Sequence, residues 1–347
     1  MPTGLAGIVI DDGPGEFRAA AVDRAGRPWH LFMERWGGNG LASRYGQVLS
    51  ARFRAMADNR LDGFVDLENG ENALIRVAKG QPFVEGEAIS VQVRAEARRD
   101  KIARVALASP GPVLTGFDLW KSHLPGHDDL PLRDDRACLD AAFADVLEDT
   151  ATLAGGGAVH IQRTRALIAA DIDSAGRRGR GSAGAQALSL NCEAVADIAR
   201  QVLCRGYGGT LIIDCPGPIN RAAGDKICDT FRRAMARMST RQSRVLPLSA
   251  FDLLQATIAW AGCPIEDQLL DATGAPTAET QFLHLLRDAR RETEALPAQL
   301  FSLDLSRDIY TFYKQNRQLC DSVLKSYFGG RVLVGSGTEM VSVLRRR

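Results

Sequence analysis

RALIAADIDSAG (165–176) and GGTLIIDCPGP (208–218) are apolar runs of β type, and each reaches an acidic residue, Asp171 in the first and Asp214 in the second. The segment between them, LSLNCEAVADIARQVL (188–203), carries its apolar residues at helical spacing. The three segments therefore predict a strand, a crossover helix and a second strand. Such a crossover makes the two strands parallel. Because parallel strands end on the same edge of a sheet, we expect the two carboxylates to converge there.

The expected carboxylate pair has the chemistry of a site for a hard cation. Oxygen ligands without a histidine or a thiolate favour Mg²⁺ or Mn²⁺, and phosphate and water then complete the coordination shell. Asp173, two residues past Asp171, points to the same face if the strand continues. The predicted chemistry is therefore on phosphate. An aspartate is also common where a strand ends in a turn, so either segment alone is compatible with a purely structural role.

The segment SAGRRGRG (174–181) follows the first aspartates and interleaves Arg177, Arg178 and Arg180 with glycines. Glycine lets a backbone approach a ligand closely. Arginine supplies planar, bidentate donors that suit phosphodiester oxygens. The alternative is a solvated surface turn, and the combination with the two aspartates favours a segment that contacts a nucleic-acid backbone.

Residues 38–107 contain short alternating runs that are separated by Asn, Gly and charged turns: YGQVLSARF (45–53), DGFVDLEN (62–69), NALIRVAKG (72–80) and GEAISVQVRAEARRDKIARVAL (86–107). This pattern predicts a small closed barrel of OB type. Stacking of a nucleic-acid base on an aromatic side chain of such a barrel contributes roughly 1–3 kcal/mol per base. Phe64 is the expected stacking residue, and a phenylalanine of the barrel core is the alternative.

Composition and charge narrow the class of protein. A chain of 347 residues is long enough for several domains with their own cores. Its formal net charge of +1 excludes binding by bulk positive charge, so any nucleic-acid contact must use local patches. The seven cysteines are odd in number and show no CxxC spacing, which is typical of reduced thiols. The run GLAGIVI (4–10) is too short for a signal peptide or a membrane span, so we expect a cytoplasmic location and no membrane partner.

Three strings around the two aspartates resemble the catalytic core of the ribonuclease E/G family. The family typically has the strings DINSA, TNLEAADEIARQ and GGLIVIDFIDM. The corresponding strings of this chain are, in the same order, ADIDSAG, LNCEAVADIARQ and GGTLIIDCPGP. The resemblance implies that Asp171 and Asp214 bind the catalytic Mg²⁺. It also implies a catalytic role for Asp173, which replaces an asparagine of the family and so adds a negative charge.

The barrel segment resembles the S1-type RNA-binding domain that the same family inserts near its amino terminus. Tyr45 and Gly46 match the family's opening Tyr-Lys-Gly region, and the string around Phe64 matches its Ala-Phe-Val-Asp. The resemblance implies that Tyr45 and Phe64 contact RNA. It also implies the fold class, a mixed α/β (α+β) protein. In that class an OB-type S1 barrel is inserted near the amino terminus of an RNase H-like and DNase I-like catalytic core, and a small C-terminal α/β subdomain follows.

The expected organisation has five parts. They are the amino-terminal strands of a reduced RNase H-like subdomain (1–37), the S1-type barrel (38–107), a linker with a short helix (108–150), the DNase I-like catalytic core (151–262) and a C-terminal α/β subdomain (263–347). Within the core we expect a helix over FDLLQATIAWAG (251–262). The tail, residues 278–347, is expected to read helix, strand, helix, strand, strand.

Cys263-Pro264-Ile265-Glu266 stands where enzymes of the family present Cys-Pro-x-Cys, whose thiolates share a zinc ion between protomers. A single thiolate cannot make a structural zinc site. We therefore expect no structural zinc, and we expect any homo-oligomer of this chain to form without a zinc link.

Taken together, the residues and the resemblance predict a metal-dependent endoribonuclease. It would cleave single-stranded RNA by attack of water on the phosphodiester, leave 5′-phosphate and 3′-hydroxyl ends, and act in RNA processing or decay. Two alternatives stay open. One is a non-catalytic RNA-binding protein or regulatory factor that retains the fold, and the other is a nuclease of the same fold that acts on DNA.

Overall fold

A computed structural model describes residues 4–36, 42–58, 61–78, 83–98, 101–177, 181–335 and 342–346. The chain divides into two compact units. Unit 1 comprises Met1–Val9, Ala19–Phe32 and Leu41–Ile265, and unit 2 comprises Ile10–Arg18, Met33–Gly40 and Glu266–Arg347. The predicted mixed α/β class is confirmed. The five domain ranges expected from the sequence stay a prediction.

Four strands form an amino-terminal sheet in the order β3-β2-β1-β9: β1 (Leu5–Gly13), β2 (Glu16–Asp23), β3 (Pro28–Arg35) and β9 (Leu132–Asp134). The first three are the amino-terminal strands expected within residues 1–37. The fourth comes from a segment rich in Pro and Asp, which gives no strand signal of its own. Ile8 donates its backbone N–H to the carbonyl oxygen of Pro131, just before β9, at 2.8 Å. Pairing with β1, which is distant in sequence, therefore makes this segment a strand.

The predicted five-stranded barrel is confirmed. Its strands are β4 (Val48–Met56), β5 (Asp62–Leu67), β6 (Asn72–Arg76), β7 (Ala88–Ala95) and β8 (Ala103–Leu107), and they close in the order β4-β5-β6-β8-β7. Alternate residues fill the interior, among them Phe53, Val65 and Val91. The residues between them face outwards, as the period of two of a strand requires. Unlike the other barrel pairs, β6 and β8 run parallel.

The segment 108–135, which its Pro and Gly content predicts to be a linker, contains a helix, α1 (Gly116–Ser122), and a single 3-10 turn (His127–Asp129). Trp120 of α1 packs its ring 5.5 Å from that of Phe32, and Phe117 lies 6.0 Å from the same ring. These tertiary aromatic contacts stabilise a helix that local composition does not favour. The expected short helix follows as α2 (Arg136–Asp145), and the Asp135 side chain caps it by accepting from the Cys138 N–H at 3.0 Å.

The central sheet of unit 1 has the order β10-β11-β12-β13-β15-β14. Its strands are β10 (Thr150–Thr152), β11 (Ala158–Arg163), β12 (Ile168–Asp173), β13 (Gly209–Asp214), β14 (Ser243–Val245) and β15 (Leu253–Ile258). Strands β12 and β13 are parallel, as the sequence predicts, and the other neighbours are antiparallel. The helix expected over 251–262 is wrong, because this stretch contains β15. Leu254, Ala256 and Ile258 are buried alternately, which is the burial pattern of a strand.

Two helices cover one face of this sheet. They are α3 (Ala183–Cys204), the expected crossover helix, and α4 (Arg221–Met238). The side chains of Ser182 and Asn220 cap their first turns. The apolar stripes of both helices join the buried residues of the strands in one core, which includes Ile198, Phe231 and Ile213. Asp171 and Asp214 lie on the opposite face of the sheet, together with Ile212 and Leu253.

Residues 278–347 follow the predicted pattern with one change, and a short helix, α5 (Ile265–Leu269), precedes them. They contain α6 (Ala278–Ala295), β16 (Phe301–Asp304), α7 (Arg307–Gln315), α8 (Arg317–Phe328), β17 (Val332–Val334) and β18 (Val343–Arg346). The single helix expected after β16 is divided at Asn316, whose φ of −113° is not helical. The three strands pair in the order β17-β16-β18. In the part of the chain that the structure describes, no helix combines the length and the apolar character needed to cross a membrane.

Candidate active site

Asp171 and Asp214 lie directly opposite each other on neighbouring strands. They are Cα partners in the parallel ladder between β12 and β13. Both side chains are exposed. Neighbouring strands are about 4.8 Å apart, so the two carboxylates occupy adjacent places on one face of the sheet. The convergence expected from the two sequence segments is therefore present in the backbone pairing.

The alternation of the strands places this pair on the open face. Ala170 and Ile172 flank Asp171 and are buried, and Ile213 before Asp214 is buried as well. Since successive side chains of a strand point to opposite faces, the apolar neighbours face the helices and the aspartates face away from them. The apolar runs that identify the strands thus also determine the direction of the carboxylates.

The two carboxylates have no partners among the residues that the structure describes. Among the described residues, neither Asp171 nor Asp214 accepts a hydrogen bond or an ion pair from another side chain or backbone group. Like charges directly opposite each other in a sheet are destabilising. A cation between the two carboxylates would remove this repulsion, and the arrangement therefore fits a bound metal ion.

The donor set suits Mg²⁺ better than a structural zinc ion. In the described ranges, no group of three or more His, Cys, Asp or Glu side chains is placed to hold a metal ion. Two carboxylates are what a protein commonly gives to Mg²⁺, which keeps several waters and binds substrate phosphate. Cys215 follows Asp214, but burial raises the pKa of its thiol to about 12, so it does not offer a thiolate at neutral pH.

Asp173 ends β12 on the same face as Asp171 and is half-buried. Its Oδ1 accepts the N–H of Ala175 at 2.8 Å, which turns the chain sharply after the strand. In this position one carboxylate oxygen shapes the loop and the other stays available to a ligand. The structure thus places Asp173 beside the pair without joining it into a cluster of three.

Arg177 is held by three groups of the protein. Its Nη1 donates to Glu193 Oε2 at 2.7 Å and to the carbonyl oxygen of Gly156 at 3.2 Å, and its Nη2 donates to Ser189 Oγ at 3.0 Å. Glu193 lies on α3 and also accepts the N–H of Gly155, at 2.8 Å. Arg177 therefore ties the segment after β12 to α3 and to the turn before β11. Arg178 and Arg180 lie outside the described residues.

The turn between β10 and β11 fits closely against the segment that follows β12. A Cβ atom on Gly155 would lie 2.6 Å from Glu193 Oε2, and one on Gly157 would lie 2.5 Å from the carbonyl oxygen of Asp173. Gly156 and Gly157 also have positive φ values, +87° and +90°. Only glycine meets both requirements without strain. This turn therefore packs against the backbone of Asp173, Gly176 and Arg177.

Phe64 lies on the outer surface of the barrel. Its neighbours Gly63 and Val65 face the interior, and Phe64 itself is half-buried. The Arg54 guanidinium lies over its ring, 5.7 Å from the centroid. Leu74, the Cα partner of Phe64, pairs in turn with Arg104, whose side chain is exposed. An aromatic ring with arginines on either side is a suitable surface for unstacked nucleotides.

Tyr45 contacts the body of unit 1. Its ring lies 4.6 Å from that of His123, and its N–H donates to Glu96 Oε1 at 2.9 Å. The other oxygen of Glu96 accepts the N–H of Cys263 at 2.9 Å. Glu96 thereby connects the start of the barrel with the segment that follows β15. The surroundings of Tyr45 give it a structural role in addition to any contact with RNA.

His160 is a polar residue of the site that the sequence analysis missed. It lies on β11 as the Cα partner of Asp171, and its Nδ1 is 2.9 Å from Thr150 Oγ1. Its neighbours Val159 and Ile161 are buried. The alternation in AVHIQR, together with the short connection to β12, is the signal that would have placed His160 on the face of the aspartates.

Known proteins match this part of the chain. A sequence model of the Ribonuclease E/G family matches residues 128–259. Ribonuclease E of Nostoc sp. is 27% identical over 119 residues, which is 34% of this chain and 17% of that protein. Ribonuclease E of Escherichia coli is 34% identical over 107 residues, which is 30% of this chain and 10% of that protein. Ribonuclease E of Haemophilus influenzae is 36% identical over 107 residues, which is 30% of this chain and 11% of that protein.

The chain therefore spans a minor share of the length of the relatives it matches. The matched region contains both opposed aspartates, the crossover helix between their strands and His160. The resemblance expected from the three motifs is thereby confirmed: over residues 128–259 this chain is a divergent, partial match to the Ribonuclease E/G family.

Proposed function

We propose that this protein is a metal-dependent endoribonuclease that cleaves single-stranded RNA. The observation that carries the proposal is the pairing of Asp171 with Asp214, two exposed carboxylates that lie in register and have no partner in the described ranges. Two unneutralised charges at this spacing cost stability, which argues for a ligand that uses them. The partial match to the Ribonuclease E/G family over the same residues supports the choice of RNA as substrate.

Asp171 and Asp214 would hold Mg²⁺, or Mn²⁺, on the open face of the sheet. When bound there, the ion supplies Lewis acidity toward a phosphoryl oxygen and lowers the pKa of water. Asp173 retains Oδ2 as a hydrogen-bond acceptor, because Oδ1 is engaged by Ala175. It would orient a water molecule or a substrate hydroxyl next to the pair. Arg177 would act on the substrate indirectly, by fixing the backbone that follows β12.

Attack of water on phosphorus forms a new P–O bond and breaks the bond from phosphorus to the 3′ oxygen, which takes up a proton. The products carry a 5′ phosphate and a 3′ hydroxyl. The barrel would supply the grip on single strands, with a base against Phe64 and backbone phosphates near Arg54 and Arg104. In this proposal the barrel is of the S1 type, the six-stranded sheet belongs to a DNase I-like core, and the strands before the barrel belong to an RNase H-like subdomain. The protein would act in the cytoplasm, in RNA processing or decay.

The test is cleavage of a labelled single-stranded RNA by the purified protein, with Mg²⁺ and with EDTA. We expect cutting with Mg²⁺ and none with EDTA. Asp171→Asn and Asp214→Asn should each lower the rate at least a hundredfold, about 2.7 kcal/mol, and leave RNA binding intact. Asp225→Asn, which removes an exposed carboxylate from α4, is the matched control and should cut at the normal rate.

End-group analysis completes the experiment. Products that carry a 2′,3′-cyclic phosphate, or undiminished cutting in EDTA, would contradict the two-aspartate mechanism. Binding of RNA without cleavage under any metal condition would favour the non-catalytic alternative, a protein that has kept the fold while losing the Asn, Glu and Arg positions of the family. Equal cutting of DNA and RNA of the same sequence would favour the third alternative.

A further inference from the structure

Four polar side chains form a row across the open face of the central sheet. Thr150 is the Cα partner of His160, His160 of Asp171, and Asp171 of Asp214. The row crosses β10, β11, β12 and β13 at right angles to the strands. Adjacent members are therefore separated by about one strand spacing, roughly 4.8 Å. His160 is thus the next functional group beyond the carboxylate pair.

The imidazole of His160 is oriented toward the open face and fixed at one nitrogen. Val159 and Ile161 are buried on the helix side, so His160 faces the other way and is half-buried. Its Nδ1 is hydrogen-bonded to Thr150 Oγ1 at 2.9 Å, and within the described residues Nε2 makes no hydrogen bond. The structure thus presents a nitrogen that is held in position and available to a ligand.

The chemistry of this nitrogen matches a hydroxyl better than a second phosphate. The Thr150 hydroxyl can donate to Nδ1 or accept from it, so Nε2 can serve as either a donor or an acceptor. A hydroxyl group can pair with Nε2 in either role, because it both donates and accepts hydrogen bonds. An ionised phosphate oxygen can only accept one. The neighbouring Asp171 carboxylate would also repel another anion at this place.

We propose that His160 binds the 2′-hydroxyl of a nucleotide that flanks the scissile phosphate, and that this contact makes the site select RNA over DNA. The inference rests on the proposed function, because the scissile phosphate is taken to lie at Asp171 and Asp214. The 2′-hydroxyl is both a donor and an acceptor, and it is the group by which a protein distinguishes RNA from DNA at a given position. His160 is a substrate-binding residue in this arrangement and takes no part in bond breaking.

The test combines a protein substitution with a substrate substitution. Single-turnover cleavage rates are measured on an RNA with one cutting site and on two versions with a single 2′-deoxynucleotide, one on each side of the scissile bond. For the normal protein we expect one of the two deoxy versions to be cut roughly three- to tenfold more slowly, the effect of one hydrogen bond. His160→Val should cut the all-RNA substrate three- to tenfold more slowly than the normal protein does. Its rate should not fall further on the sensitive deoxy version.

Gln162→Val is the matched control. Gln162 lies on the same strand and the same face, but its Cα partner is Ala169 rather than an aspartate. This variant should retain the full sensitivity to the missing hydroxyl. Valine is well suited to a strand, so both variants are expected to fold, and thermal unfolding checks this. A deoxy effect that persists unchanged in His160→Val, or its absence in the normal protein at both positions, would overturn the inference.

A binding measurement separates this inference from the proposed function. Fluorescence anisotropy in EDTA compares a short RNA with DNA of the same sequence, using the normal protein and His160→Val. We expect the preference for RNA to fall roughly three- to tenfold in the variant, and an unchanged preference would count against His160. This result does not require cleavage. If the normal protein failed to cut RNA, the proposed function would fall while the binding comparison still decided the role of His160.

Discussion

The contacts of single side chains in this protein cannot be inferred from the residues next to them in sequence. The apolar runs that end in acidic residues identify Asp171, Asp173 and Asp214 in the sequence. The register of β12 and β13 places Asp171 directly opposite Asp214. Arg177 looks like a ligand for phosphate in the sequence, yet it is engaged by Glu193 and Ser189. A side chain's partners depend on chain segments far from it, so its role is decided by packing.

A second residue-scale case is His30, which is half-buried on β3. Burial lowers the pKa of His30 to about 4, the hydrogen bond to the carbonyl oxygen of Met238 opposes this shift, and the charge of Arg241 adds to it. In the unfolded chain the histidine pKa is about 6.5. The folded protein must therefore keep His30 neutral, and its neutral Nε2–H donates to Met238.

We expect stability to fall as the pH drops from 6.5 to 4. Over this interval the unfolded chain binds a proton that the folded protein does not, so the folded state loses up to about 3 kcal/mol relative to the unfolded one. Above pH 6.5 His30 makes no pH-dependent contribution. Urea unfolding of the normal protein and of His30→Gln at pH 7 and pH 4.5 measures the effect. His284→Gln, which removes an exposed histidine, should keep the normal pH dependence, and a His30→Gln protein that also kept it would contradict the assignment.

At the scale of elements, the site depends on a contact between α3 and two loops. Glu193 accepts one bond from Arg177 and one from Gly155, and the glycine turn before β11 fits only without side chains. This arrangement sets the path of the chain immediately after Asp173. The chain between Asp173 and Arg177 thus contacts helix α3 through Glu193 and the glycine turn before β11.

Glu193→Ala should loosen this segment. The substitution removes the carboxylate that accepts from Arg177 and from the Gly155 N–H, and we expect a loss of about 1–3 kcal/mol in unfolding free energy. Ser189→Ala removes only one bond to Arg177 and should cost less, about 0.5–1.5 kcal/mol. Urea unfolding measures both, and limited proteolysis should show faster cutting after β12 in Glu193→Ala. Equal stability of the two variants would show that Glu193 does not hold the segment.

At the scale of the whole molecule, unit 2 joins segments from both ends of the chain through buried charges. Glu16 accepts Arg35 at 3.1 Å and Arg287 at 2.7 Å, and its side chain is only 4% exposed. Arg290 reaches Asp11 at 2.7 Å in the same way. Charges buried this deeply are tolerated because each has a partner.

Glu16→Gln should therefore be strongly destabilising. It leaves Arg35 and Arg287 with less compensation in a buried place, and breaking such a pair costs about 3–5 kcal/mol. Glu294→Gln is the control, because that side chain is about half exposed and its pair with Arg290 contributes at most about 1 kcal/mol. Thermal and urea unfolding compare the two. A Glu16→Gln protein as stable as Glu294→Gln would mean that the network adds specificity and no net stability.

The sequence by itself determined the features that depend on local periodicity. The parallel pair β12 and β13, the helix between them and the barrel strands follow from spacings of two and 3.6 residues, which short segments express on their own. The direction of Asp171 and Asp214 follows as well, because their apolar neighbours have to face a core. The motif resemblance was equally readable, and it is confirmed over residues 128–259.

Only the tertiary structure decided the pairings between distant segments. β15 is a strand because β13 offers it an edge, although its apolar run reads equally well as a helix. The partners of Arg177, the neighbours of Tyr45 and the place of His160 beside Asp171 likewise depend on which strands and loops meet. Such contacts join residues far apart in the chain, and their free energy comes from packing and register, which no local pattern encodes.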